Sequence, residues 1–96
     1  RIAYLDIQTG KVTTLLTLEA DNPKYRLNDG KCDPGGRFWV GSMSEEEKPI
    51  ANLYRYDPDG SLHIMETGLT ISNGLGWSPD QTLFYLTDTP TQKIYV

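Results

Sequence analysis

The side chains in this sequence that could do chemistry are mostly oxygen bearers, and they gather in three short segments. Arg26 and Asn28 stand two apart in Arg26-Leu27-Asn28-Asp29-Gly30, a spacing that puts both on one face of an extended segment. Arginine offers fixed N–H donors, and an asparagine amide both donates and accepts. A surface ion pair for Arg26 and a turn-capping role for Asn28 would occupy the same residues. The second segment is Asn73-Gly74. Asparagine before glycine in a loop tolerates unusual torsions and can turn its amide oxygen into a cavity, where a neutral oxygen suits a hard cation such as Ca²⁺ or Mg²⁺. The same dipeptide is also a frequent turn former. The third, Glu45-Glu46-Glu47, is a charge run of the kind that usually covers a solvated face.

The remaining chemical residues carry less. Asp29 precedes Gly30 and Asp33 precedes Pro34, so turn duty accounts for both; Asp88 ends an aromatic strand, and none of the three is expected to hold a metal. One cysteine, Cys32, and one histidine, His63, leave no internal disulfide, zinc finger or Cys-His catalytic pair within the chain. Any metal would be held by oxygen. Cys32 is expected to be buried, His63 partly exposed. The net charge of −4 argues against nucleic acid, because phosphate binding needs a surplus of Lys and Arg on one face. No run reaches the length of a transmembrane helix and none resembles a signal peptide, and the single cysteine fits a reducing, cytoplasmic compartment.

The elements that must position these residues read as short strands joined by turns. Residues 1–7 and 11–18 flank Gln8-Thr9-Gly10. Lys31-Cys32-Asp33 leads through Pro34-Gly35-Gly36 into 37–43. Residues 52–56 and 61–67 flank Asp57-Pro58-Asp59-Gly60, and 75–77 and 82–86 flank Ser78-Pro79-Asp80-Gln81. These turn sequences supply the proline and glycine torsions that hairpins need. No segment keeps a helical period for ten residues, so the class is all-β. A repeat lies beneath the strands: sliding the sequence by 45 residues sets Asn28 on Asn73, Pro34 on Pro79, and the run from Arg37 to Gly41 on the run from Thr82 to Leu86 without a gap. A period of about 40–45 residues with four short strands is that of a β-propeller blade. The chain then divides into the end of one blade (1–20), a complete four-stranded antiparallel blade (28–67) and most of the next (73–96). Its 96 residues cannot close a ring, and both ends fall within strand-like segments, so a fragment is expected, with open blade edges available for self-association.

Two longer motifs carry a family resemblance. The segment from Arg26 to Met43, RLNDGKCDPGGRFWVGSM, and the segment from Ile71 to Ser78, ISNGLGWS, resemble the signatures of the SMP-30/gluconolactonase/regucalcin-like (LRE) family. Two long motifs in the right order are a far more specific signal than one glycine-rich match. The resemblance implies a six-bladed propeller, which at this period needs roughly 270 residues, with a divalent cation in its central channel. Ca²⁺ is the first expectation, with Zn²⁺, Mg²⁺ or Mn²⁺ as alternatives. It implies hydrolysis of a small sugar lactone, with Asn73 as a metal ligand and Arg26, Asn28 and Glu46 as substrate contacts. No membrane or nucleic-acid partner is implied. The family's two further metal carboxylates, one of which is the favoured general base, belong to motifs that these 96 residues lack. No catalytic residue is therefore assigned within the chain, and the chain alone is expected to be inactive. A non-catalytic propeller that binds calcium or another protein is the alternative, because one fold hosts many functions.

Overall fold

In the computed structural model, which describes residues 1–18 and 24–96, every sheet pairing is antiparallel, and among the described residues the only helical element is one 3₁₀ turn, Thr89–Thr91. The expected end of the first blade at residue 20 lies outside the described residues. Three sheets follow one another along the chain. The first pairs β1 (Ile2–Leu5) with β2 (Val12–Leu16). The second runs in order β3 (Tyr25–Cys32), β4 (Phe38–Ser44), β5 (Ala51–Tyr56), β6 (Leu62–Leu69). The third runs β7 (Ser72–Trp77), β8 (Phe84–Asp88), β9 (Lys93–Tyr95).

Alternating side chains make the second sheet apolar on both faces. Phe38, Val40, Tyr54 and Tyr56 turn towards the first sheet and pack with Ile2 and Leu16. Trp39 and Leu53 turn the other way and pack with Leu75, Leu86, Trp77 and Phe84 of the third. Three aromatic rings tie the latter interface: Trp39 lies 4.9 Å from Phe84 and 6.0 Å from Trp77 between centroids, distances at which offset and edge contacts are favourable. A further close approach is allowed by Gly41, where a Cβ would sit 1.8 Å from Ser72 Oγ.

The register corrects the gap-free form of the repeat. In the second sheet the turn closes with Asp33 N–H on the Arg37 carbonyl; in the third, Ser78 N–H reaches the Leu83 carbonyl, one residue further on. Cys32 pairs with Phe38, and Trp77 with Phe84. The equivalent of Phe38 is therefore Phe84, not Leu83. The cause is one extra turn residue after Gln81, which itself matches Gly36: both are left-handed, at φ 61° and 81°, and both donate to the residue three before. Before the turn the offset of 45 holds, and it brings two bulges into correspondence, one between Leu27 and Gly30 and one between Asn73 and Leu75.

Candidate functional site

Both asparagines lie on these bulges. A bulge leaves residues out of the ladder and re-aims their side chains. Here the two bulged strands, β3 and β7, are the first of their sheets and lie beside one another. Asn28 Nδ2 donates to the Ser72 carbonyl at 3.0 Å. Because that carbonyl can only accept, the amide of Asn28 is oriented with its nitrogen towards β7 and its Oδ1 left for other partners. Next to it, Asp29 Oδ2 accepts the Gly74 N–H at 2.9 Å. The same N–H lies 3.1 Å from Asn73 Oδ1, so the carboxylate of Asp29 and the amide oxygen of Asn73 converge on one proton. Asn28 is half-buried and Asn73 exposed.

Arg26 and Glu46 lie at the same end of the sheets. Arg26 pairs with Met43 at the end of β4, and Met43 in turn bridges to Ile71, just before Asn73. Ser44 N–H donates to the Thr70 carbonyl at 2.9 Å. The Arg26 guanidinium faces Glu45 at 3.8 Å, both side chains about half exposed. Glu46 is instead engaged with Lys48 at 2.8 Å. That hydrogen bond and the lysine's charge hold the Glu46 carboxyl below its usual range and raise the Lys48 ammonium. The loop carrying Glu46 is held by the buried Ser44 hydroxyl, which accepts the N–H groups of Glu46 and Lys48, each at 3.3 Å. The bulges that carry Asn28 and Asn73 are thus linked through Ser72, Asp29 and Gly74, whereas Arg26 and Glu46 each have a charged partner nearby.

The aspartates do other work. Asp33 accepts the Gly35 and Arg37 N–H groups at 2.9 Å, as turn duty requires, and also Arg37 Nε at 2.6 Å and the Trp39 indole at 2.9 Å. Burial would raise its carboxyl, but those hydrogen bonds and the Arg37 charge outweigh it and leave the group below the ordinary carboxylate range. The expected turn role of Asp29 is corrected: it lies within β3, and its carboxylate crosses to the next sheet. Asp88, buried, accepts the N–H groups of Thr70 and Ile71 at 2.8–3.1 Å and fixes the crossover that delivers Asn73. Neither role has a local sequence signal, because each partner is remote in the chain. The expectation for Cys32 is corrected too: it is exposed, being the last residue of β3, whose outer side has no neighbouring strand within its sheet.

As a cation site, the oxygens fit in kind, being the amide and carboxylate donors that hard cations prefer. In number they fall short: among the described residues, no three His, Cys, Asp or Glu side chains gather closely enough to hold a metal. Among the described residues, no helix is long and apolar enough to cross a membrane.

Comparison with known proteins agrees with this architecture. The sequence matches the family described as the SMP-30/Gluconolactonase/LRE-like region over residues 1–96. It is 50% identical over 70 residues, 72% of this chain and 24% of the relative, to YvrE of Bacillus subtilis, which is provisionally named a sugar lactone lactonase. Identity to regucalcin of Oryctolagus cuniculus is 37% over 95 residues, 93% of this chain and 32% of the relative. The fold superposes on the crystal structure of a calcium-binding protein, regucalcin, from Agrobacterium tumefaciens with TM-score 0.87 at 31% identity, covering 96% of this chain and 31% of that one. The chain thus spans about a third of the length of these proteins. Its fold is that of a β-propeller, and the chain belongs to the SMP-30/gluconolactonase/LRE-like family.

Proposed function

We propose that this chain supplies one side of the ligand site of a metal-dependent sugar-lactone hydrolase built as a six-bladed propeller. The observation that carries this reading is the direct linkage of the Asn28 and Asn73 bulges, on adjacent first strands, at the end of the sheets where Arg26 and Glu46 also lie. In it, Asn73 Oδ1 gives one neutral oxygen to a divalent cation, most simply Ca²⁺. When bound, such a cation supplies Lewis-acid polarisation of an ester carbonyl. Arg26 donates N–H groups to the oxygens of the lactone and holds it in register. Asn28 accepts from a sugar hydroxyl through Oδ1, since its nitrogen is committed to Ser72. Glu46 accepts from a second hydroxyl after exchanging Lys48 for the ligand. The general base and the charged metal ligands come from other blades, so the chain alone is inactive and holds metal weakly, because affinity grows with the number of charged ligands.

Paramagnetic broadening by Mn²⁺, followed by NMR on the 96-residue chain, tests this because it detects weak binding. The expected order is Asn73, Gly74 and Asn28 first. Should Glu45 to Glu47 broaden first, with the asparagines untouched, the assignment of the site fails. Metal-dependent lactone turnover by the chain alone would overturn the claim of inactivity. Likeness to a protein described as calcium-binding favours a second reading, calcium binding without hydrolysis. The complete protein, loaded with Ca²⁺ and showing no lactone turnover, would select it.

A further inference from the structure

We infer that the Asn28-Asp29 bulge is a cross-blade clamp, and that Asp29 is a positioning residue for Asn73. The geometry is a bracket. Asn28 donates to the carbonyl of Ser72, the residue before Asn73, and Asp29 accepts from the N–H of Gly74, the residue after it. Two peptide groups flanking one residue are thereby tied to the neighbouring blade, which fixes the torsions at residue 73 and with them the direction of its side chain. The bulge makes this necessary. Between Asn73 and Leu75 the pairing with β8 shifts register, so β8 does not by itself define the backbone there. Gly74 sits at φ 55°, and a Cβ there would come 3.1 Å from Thr87 Oγ1. Such a segment needs an external partner to hold one conformation, and the Asp29 carboxylate is that partner. A charged acceptor is well suited, because hydrogen bonds to ionised groups are roughly twice as strong as neutral ones. Asn73 Oδ1 shares the same N–H at 3.1 Å, so the carboxylate also sets where that oxygen points. What Asn73 is positioned for rests on the site reading above; the clamp itself does not.

The test is backbone amide exchange and side-chain NMR on the full 96-residue chain. Asp29→Ala is expected to speed exchange of the Gly74 amide by at least about tenfold, and to move the Asn73 side-chain amide resonances towards those of a free asparagine. The Trp39 indole, held by Asp33 rather than by the clamp, is expected to stay unchanged. Asp29→Asn, which keeps a neutral acceptor, is expected to give an intermediate effect of roughly threefold and serves as the deciding variant should the alanine form not fold. Unchanged Gly74 exchange in either folded variant overturns the clamp, as does a loss of protection spread equally to the Trp39 indole. Mn²⁺ broadening at Asn73 in the unmodified chain reports on the metal reading alone, and its absence would sink that reading while the exchange data still decide the clamp.

Discussion

Replacing Gly41 with alanine puts a methyl group where the next sheet already has a side chain. The added Cβ would lie 1.8 Å from Ser72 Oγ and 2.1 Å from Ser72 Cβ, against ordinary carbon contacts of about 3.5–4.0 Å. Neither strand can yield locally. Gly41 is held in the ladder opposite Leu53, and the segment entering β7 is pinned by Asp88. The two sheets must part by about an ångström or more, loosening the Trp39–Trp77–Phe84 contacts. We expect a loss of about 3 kcal/mol, the upper part of the range for an overpacked core. Partner substitutions separate the causes. Ser72→Ala alone removes a hydroxyl that is buried and has no hydrogen-bond partner among the described residues, and should stabilise by about 1 kcal/mol. It cannot rescue Gly41→Ala, because the 2.1 Å Cβ conflict persists. Ser72→Gly can, since its Cα lies at an ordinary 3.5 Å, less about 0.5–1 kcal/mol for a glycine within a strand. Urea unfolding followed by tryptophan fluorescence reads all four variants. If Gly41→Ala proved neutral, or Ser72→Ala rescued it as well as Ser72→Gly, the close packing of these two strands would be refuted.

Two further outcomes follow from particular contacts. Asp33→Asn leaves the Arg37 and Trp39 donors without their carboxylate and should cost about 2 kcal/mol near neutral pH, the order for hydrogen bonds to a charged group, since the Arg37 side chain is itself partly exposed. Because the folded Asp33 carboxyl is held below its ordinary value, its contribution is complete above about pH 4 and disappears as the pH falls through the folded value. Urea midpoints measured at falling pH should therefore converge for the two proteins; a gap that persisted in acid would contradict this. Gln81→Gly relieves a left-handed backbone at φ 61° and should raise stability by about 0.5–1 kcal/mol, with an unchanged or lower thermal midpoint as the refuting result.

The sequence by itself determined the strand-and-turn architecture, because alternation and turn chemistry are local. The turn residues of Asp57 to Gly60, and the two-faced pattern of Phe38-Trp39-Val40, act within a few positions of one another. The asparagine loops were legible for a related reason: the repeat set Asn28 on Asn73, and these two shared asparagines fall in corresponding bulges although the residues around them differ. Even the repeat failed where one residue entered a turn. Only the tertiary structure decided which oxygens meet. Asp29 finds Gly74 across 45 residues, Asn28 finds Ser72 across 44, and Asp88 reaches back to Thr70. Hydrogen bonds between sheets depend on how the two are stacked, and stacking is set by the buried face of Trp39, Leu53, Leu75 and Leu86 rather than by any residue at the site.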